Sequence, residues 1–252
     1  MLNIVIPMAG RGSRFADVGY TDPKPLIPIH GTAMIRVVIE NLRPPVEHRF
    51  VFICQREHVA AYGLDRLLPE WAPGSVIVPI DGITEGAACT VLAARDLIDN
   101  DDQLVIANSD QFVEVDFGDY VAALDERGLD GLIMTMFADD PKWSFVETDA
   151  DGLVRRVVEK EVISNEATVG IYSFARGHDF VRGADAMIAA DERVNGEFYV
   201  APVYGQLIAE GAKIGTVDVG SVGAGMHGLG TPADLEAFLA LPVSLEAAGQ
   251  RA

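Results

Sequence analysis

Lysine is scarce in this chain, with four among 252 residues: Lys24, Lys142, Lys160 and Lys213. Basic side chains number 19 against 38 acidic ones, a formal charge of −19. A surface of that sign excludes nucleic acid and anionic membrane as bulk partners, because both depend on clustered positive charge. A small anionic ligand is not excluded, since its site depends on local charge. Cysteine is equally sparse. Cys54 and Cys89 are too few for a disulfide framework, and neither sits in a C-x-x-C or zinc-ligand spacing. The five histidines, at 30, 48, 58, 178 and 227, also lack metal-ligand spacing, and no Ser/His/Asp or Cys/His arrangement supplies a nucleophile. The opening MLNIVIPMAG has no basic n-region, and its apolar run is too short for a signal or a membrane span. A cytoplasmic protein is the expectation.

What is present is a strand–helix alternation. LNIVIPM (2–8), RFVFICQ (49–55), SVIVPI (75–80) and QLVIANS (103–109) read as strands buried on both faces, the mark of a parallel sheet. TAMIRVVIENL (32–42), the stretch 56–68 and EGAACTVLAARDLI (85–98) carry apolar residues at helical spacing. This rhythm predicts an α/β fold with a doubly wound, mostly parallel sheet, helices on both faces and ligands at the carboxyl ends of the strands. After Gly118 the pattern changes. A helix near 119–128 and a strand at 130–137 precede a β-hairpin over 143–161, with its turn at 149–152. A strand at 168–174, helices near 178–191 and 198–210, a strand at 213–220 and a helix at 231–241 complete the chain. A hydrophobic composition of 49% in a 252-residue chain supports one elaborated domain over 1–242, with a frayed tail at 243–252.

The loop IPMAGRGSRF (6–15) follows the first strand directly. A dinucleotide fingerprint would need a third glycine where Phe15 stands, and an acidic end to the second strand where Gln55 and Arg56 stand. A P-loop would need Gly-Lys-Ser/Thr, which is missing. The remaining reading is a turn whose backbone N–H groups face phosphates: Gly10 and Gly12 allow close approach, and Arg11, Arg14 and Lys24 supply charge. Residues 1–36 hold four basic groups (Arg11, Arg14, Lys24, Arg36) and two acidic ones (Asp17, Asp22), a local excess of +2 in an acidic protein. An ordinary surface turn is the competing reading.

Three further stretches carry candidate chemistry. Asp110 in NSDQ (108–111) follows a buried strand, where a carboxylate holds Mg²⁺ against phosphate oxygens; a turn or cap aspartate is the alternative. Gly86 in TEGAACT (84–90) opens a helix, where it either admits a flat base or serves as a cap. Glu159-Lys160 closes VRRVVEK, offering a point charge to a second phosphate or simply a solvated strand end.

In order, these stretches resemble the sugar-1-phosphate nucleotidyltransferases, the family of glucose-1-phosphate thymidylyltransferase and related pyrophosphorylases. The family's G-x-G-[ST]-R loop and Pro-Lys pair match Gly10, Gly12, Ser13, Arg14, Pro23-Lys24 and LIPI (26–29). Its helix-opening glycine matches Gly86, its metal-binding aspartate Asp110, and its Glu-Lys pair Glu159-Lys160, followed by SNEATVGIYSF (164–174) with Asn165 and Gly170 in register. The closing G-T-P-x-D-L-E matches Gly230 to Glu236. The resemblance implies Mg²⁺-dependent transfer of a nucleoside monophosphate from an NTP to a sugar 1-phosphate or similar phosphorylated small molecule. Arg14, Lys24 and Asp110 are then catalytic, with Asp110 also the metal ligand. Ala9, Gly10, Arg11, Gly12, Ser13, Thr84, Gly86 and Ser109 bind nucleotide, and Glu159, Lys160, Asn165 and Gly170 bind the acceptor. Residues 1–118 form the nucleotide half and 119–242 the acceptor half.

Two departures stand out. MHGLGT (226–231) has Gly228 where many members carry a second metal-binding aspartate, so the metal is held by Asp110 and phosphates alone, or Asp218 or Glu197 steps in, or turnover is weakened. DGIT (81–84) lacks the glutamine common in thymidylyltransferases, which leaves the base open. The alternatives are a nucleotide-sugar-dependent glycosyltransferase with a similar core and a nucleotide-binding protein with weakened turnover. The long carboxyl-terminal helices of tetrameric members are not matched, and a homo-oligomer of another kind stays open.

Overall fold

A computed structural model of the chain describes residues 1–10 and 12–250. Its strands are β1 (Leu2–Pro7), β2 (Pro28–Ile29), β3 (Thr32–Ala33), β4 (His48–Gln55), β5 (Val76–Ile80), β6 (Gln103–Ala107), β7 (Gln111–Val113), β8 (Gly131–Phe137), β9 (Ser144–Thr148), β10 (Val154–Glu159), β11 (Glu166–Phe174), β12 (Ile214–Val222) and β13 (Gly225–Gly228). Its helices are α1 (Ser13–Ala16), α2 (Met34–Asn41), α3 (Arg56–Tyr62), α4 (Leu64–Trp71), α5 (Ala87–Leu92), α6 (Arg95–Ile98), α7 (Phe117–Glu126), α8 (Gly177–Ala189), α9 (Val203–Ala209), α10 (Pro232–Leu239) and α11 (Val243–Ala247).

The main sheet runs β5-β4-β1-β6-β11-β8-β12-β13-β7, with the β9–β10 hairpin attached through β11. β5, β4, β1 and β6 pair in parallel. β11 enters antiparallel between β6 and β8, so the sheet is mixed but mostly parallel. The chain builds outward from β1 to β4 and β5, then returns to place β6 on β1's other side. That reversal puts a topological switch point at the carboxyl ends of β1 and β6, where open α/β sheets bind ligands.

Strand periodicity explains the layers. Ile4, Ile6, Phe52, Cys54, Val105 and Ala107 bury toward α2, α4 and α7, whereas Val5, Val51, Ile53, Leu104 and Ile106 bury toward α5, α8 and α9. Because both faces are covered, these strands read as continuous apolar runs. A third, smaller core joins Phe15, Ile27, Ile29, Met34 and Val37 to Leu229, Leu235 and Phe238. It packs the glycine loop's flank against the closing helices.

Several boundaries differ from the expectations. The stretch 56–68 is two helices, because Gly63 takes φ +63 between them. The stretch 85–98 is broken where the Ala93 and Ala94 N–H groups donate to Thr90 O and Val91 O, a tighter turn than an α-helix. Residues 198–202 are not helical: the Phe198 N–H donates to Glu85 O at 2.8 Å and its carbonyl accepts from Ala88 N at 3.0 Å, so α9 begins only after Pro202. The tail is also not frayed through 250. Val243–Ala247 forms α11, Ser244 is buried, and the Gln250 amide donates to His30 O at 2.6 Å. The hairpin turn stands as expected: the Asp149 carboxylate accepts from Asp151 N and Leu153 N, and Gly152 takes φ +75.

Candidate active site

Three cavities follow the carboxyl edge of the sheet. One, of about 380 Å³, is lined by Ala9, Gly10, Gln55, Arg56, Asp81 and Gly82. Across the glycine loop lies a second of about 410 Å³, lined by Arg14, Asn108, Asp110, Gln111, Gly228 and Asp234, among others. A third, of about 290 Å³, is lined by Ser144, Glu159, Gly170, Tyr172 and Tyr199, and shares Asn108, Lys142 and Trp143 with the second.

The glycine loop is shaped by its own sequence. Gly12 takes φ +61 as the residue before α1, a region L side chains avoid, and a Cβ there would touch Lys24 Cβ at 3.4 Å. Phe15 anchors the short helix in the small core, which leaves Arg14 exposed at the mouth of the second cavity. Lys24 sits at the start of a 3-10 turn over Lys24–Leu26, and its Nζ meets Asp110 Oδ2 at 2.7 Å. Both side chains are about three-quarters buried, at 24% and 23% exposure. The loop is held from below by Gln55, whose Nε2 donates to Ala9 O and Gly82 O, each at 2.7 Å. One buried amide thus clamps the loop after β1 to the loop after β5.

On the acceptor side, Ser144 Oγ donates to the buried Glu159 Oε2. Burial pushes the Glu159 carboxyl above the usual carboxylate range, opposed by the Ser144 hydrogen bond and the charge of Lys160. Lys160 itself takes φ +58, which costs an L residue about 1–2 kcal/mol and marks a position held by its surroundings. Its N–H donates to Trp143 O at 3.0 Å, and its Nζ donates to Tyr199 OH at 2.5 Å. The Tyr199 hydrogen bond raises the Lys160 pKa, so the ammonium is firmly charged. Gly170, at φ +87, lies against Asn108: a Cβ there would fall 2.1 Å from Asn108 Nδ2. Its glycine therefore lets the end of β6 approach β11.

The structure brings Ala9, Gly10, Arg14, Lys24, Asp110, Glu159 and Gly170 onto this edge. Other candidates stand apart. Gly86 owes its identity to packing, since a Cβ would fall 2.3 Å from Phe198 O. Thr84 Oγ1 hydrogen-bonds Gly86 O at 3.0 Å and Thr90 Oγ1 at 2.6 Å, stitching the start of α5. Ser109 is buried, Ser13 and Asn165 are exposed, and none of the three lines these cavities. Arg11 lies outside the described residues. The residues that reasoning from sequence passed over are Gln55, Asn108, Trp143, Tyr199 and Asp234. A scarce lysine beside an aromatic residue, Lys142-Trp143, was their one readable signal.

For a divalent cation, Asp110 has suitable chemistry: a hard carboxylate facing a cavity, with space kept by Gly230, whose Cβ would crowd Asp110 Oδ2 at 2.7 Å. Among the described residues no cluster of three or more His, Cys, Asp or Glu forms a self-sufficient metal cage. No helix among the described residues is long and apolar enough to cross a membrane.

A glycine loop with cations at a switch point, beside an edge carboxylate, is an arrangement suited to a nucleotide-handling α/β protein. The chain belongs to the nucleotidyl transferase family, whose model matches residues 4–188. It is similar to the bifunctional protein GlmU of Methanococcus maripaludis, 25% identical over 217 residues, covering 83% of this chain and 48% of that one. It is also similar to the mannose-1-phosphate guanylyltransferase catalytic subunit beta of Dictyostelium discoideum, 25% identical over 182 residues, covering 69% and 49%. The chain thus spans about half the length of these two relatives. A crystal structure of the nucleoside-diphosphate-sugar pyrophosphorylase from Vibrio cholerae RC9 superposes with a TM-score of 0.79 at 25% identity, covering 94% of this chain and all of that one.

Proposed function

We propose that the protein transfers a nucleoside monophosphate from an NTP to the phosphate of a sugar 1-phosphate or a similar phosphorylated small molecule, releasing pyrophosphate. The observation that carries this reading is that the second and third cavities adjoin, sharing Asn108, Lys142 and Trp143 in their walls, with Arg14 and Asp110 in one and Glu159 in the other. That arrangement supports two phosphate-bearing ligands meeting near Asp110. Residues 1–118 would hold the nucleotide and 119–242 the acceptor.

An oxygen of the acceptor phosphate attacks the α-phosphorus, and the bond to the bridging oxygen of the departing pyrophosphate breaks. The nucleophile is already ionised at neutral pH, which suits a site without a strong base. The protein's contribution is then positioning and charge neutralisation. The glycine loop offers backbone N–H groups to the triphosphate, and Arg14 and Lys24 oppose the charge that builds as the pyrophosphate leaves. Lys160 orients the incoming phosphate, with Glu159 beneath it. Asp110 would hold Mg²⁺, which when bound supplies Lewis-acid stabilisation to the phosphate oxygens. The relatives' names support a role in NDP-sugar formation; we place the enzyme in the cytoplasm, and the reading is compatible with self-association.

Incubating the full chain with each NTP, a panel of sugar 1-phosphates and other phosphorylated acceptors, and Mg²⁺ tests this reading through pyrophosphate release. Release with one NTP–acceptor pair is the expected result. Tight NTP binding without release would mark a nucleotide-binding protein with weakened turnover. Transfer from a preformed NDP-sugar would mark a glycosyltransferase.

A further inference from the structure

Gly228 is a gap in the site that the surrounding structure answers. Its backbone is not in the left-handed region, and nothing lies nearer than 3.7 Å to where its Cβ would be, so neither conformation nor packing requires a glycine. The atoms it would meet are Cγ and Oδ2 of Asp234, at 3.7 and 3.8 Å. Two residues on, a Cβ at Gly230 would meet Asp110 Oδ2 at 2.7 Å. Between them the Leu229 N–H donates to Asp110 O at 2.8 Å, and Gly228 pairs with Gln111 in the β7–β13 register. The Asp110 and Asp234 carboxylates therefore stand beside neighbouring positions at one strand end, and both line the 410 Å³ cavity with Arg14.

We propose that Asp234 is the second carboxylate of the metal site, replacing from the first turn of α10 the side chain that Gly228 lacks. The proposal rests on the nucleotidyl-transfer reading of this cavity. Thr231 Oγ1 donates to Asp234 Oδ2 at 2.6 Å and accepts from Asp234 N at 3.2 Å, which fixes the carboxylate's rotamer. Among the described residues Oδ1 accepts no hydrogen bond, leaving that oxygen for a ligand. A helix cap alone would explain the Thr231 contacts but not the facing space at Gly228. Gln111 independently indicates a ligand here. It is 6% exposed and lines the same cavity, its Oε1 accepts from Asn108 Nδ2 at 3.3 Å, and its Nε2 has no partner. A phosphate oxygen in the cavity would complete it. The other two carboxylates considered from sequence do not serve. Asp218 and Glu197 are exposed, neither lines this cavity, and Asp218 Oδ1 already accepts from Gly220 N.

The test is Mn²⁺ binding to the full chain without nucleotide, followed by electron paramagnetic resonance, with a thermal melt on each variant. Asp110→Asn and Asp234→Asn should each weaken Mn²⁺ binding at least tenfold, in the range that support for a metal site commands. The double variant Asp234→Asn with Gly228→Asp should recover it, since the facing space admits the new carboxylate. Loss in Asp110→Asn with wild-type affinity in Asp234→Asn would reduce Asp234 to a helix cap and overturn the proposal, leaving the nucleotidyl-transfer reading intact. Weakening that Gly228→Asp fails to repair would overturn it as well. Indifference to both single substitutions would sink the proposal and the assignment of metal to Asp110 together.

Discussion

Lys24 and Asp110, 86 positions apart in the chain, meet at 2.7 Å across the switch point of the sheet. One comes from the loop after β1 and the other from the loop after β6, so the contact ties these two loops together at the carboxyl edge of the sheet. On the proposed nucleotidyl-transfer reading, the ammonium would serve a phosphate and the carboxylate a cation.

If that pair is catalytic, its loss falls on rate as well as on stability. Removing one partner of a pair that is about three-quarters buried costs more than the ~1 kcal/mol of a surface pair and less than the ~3–5 kcal/mol of a fully buried one. Removal of a charge-stabilising donor costs on the order of 10²- to 10³-fold in turnover. Lys24→Ala and Arg14→Ala should each show that loss in pyrophosphate release, with Arg14→Ala melting near wild type and Lys24→Ala melting lower but still folded. A fall of less than about tenfold in either would remove that residue from the catalytic set.

Glu159 makes the fold's stability depend on pH in a known direction. Burial raises its pKa above the ordinary 4.5, so between that value and the raised one the native state keeps a proton that the unfolded chain has lost. Stability therefore falls as pH rises through this window. Glu159→Gln keeps a side chain near Ser144 but removes the titration. Its stability relative to wild type should rise as pH is raised above 4.5 in urea melts, and a flat difference would contradict the assignment.

Gly86 is held to glycine by the chain itself. At φ +135, with a Cβ 2.3 Å from Phe198 O, Gly86→Ala should cost roughly 2–4 kcal/mol. For a protein of this size that is a melting drop of ~5–15 °C. An unchanged melt would mean that the 198–202 segment moves away freely.

Gln55→Leu removes the donor shared by Ala9 O and Gly82 O. Leaving the buried one unsatisfied costs about 1–3 kcal/mol and loosens the loop above it. The expected signature is a several-fold rise in KM for the NTP with kcat nearly kept, measured by initial rates.

How much of this was readable beforehand follows from what each residue is asked to do. β1, β4, β5 and β6 were legible because burial on both faces leaves an unbroken apolar run. β7 and β13 were not, being three and four residues long, with two glycines in β13 and no periodicity to read. Among the residues proposed to meet phosphate, Lys24 and Lys160 showed themselves as two of only four lysines, and Arg14 by its place in the glycine loop. Gly86 carries a packing requirement that could not be read, since a glycine forced by Phe198 looks identical in sequence to one forced by a base. Asp234 was hidden by a sufficient local explanation: a Thr-x-x-Asp helix start accounts for it fully until β13 is registered against β7.

The small core that joins Phe15, Ile27 and Val37 to Leu229, Leu235 and Phe238 also sets an order of synthesis. The glycine loop is made some two hundred positions before the side chains that seat its flank. A nascent chain released after residue 188 would carry every residue of the motif and lack the wall that presents it. Any ligand of that loop can therefore reward folding only once α10 has been made and packed against its flank.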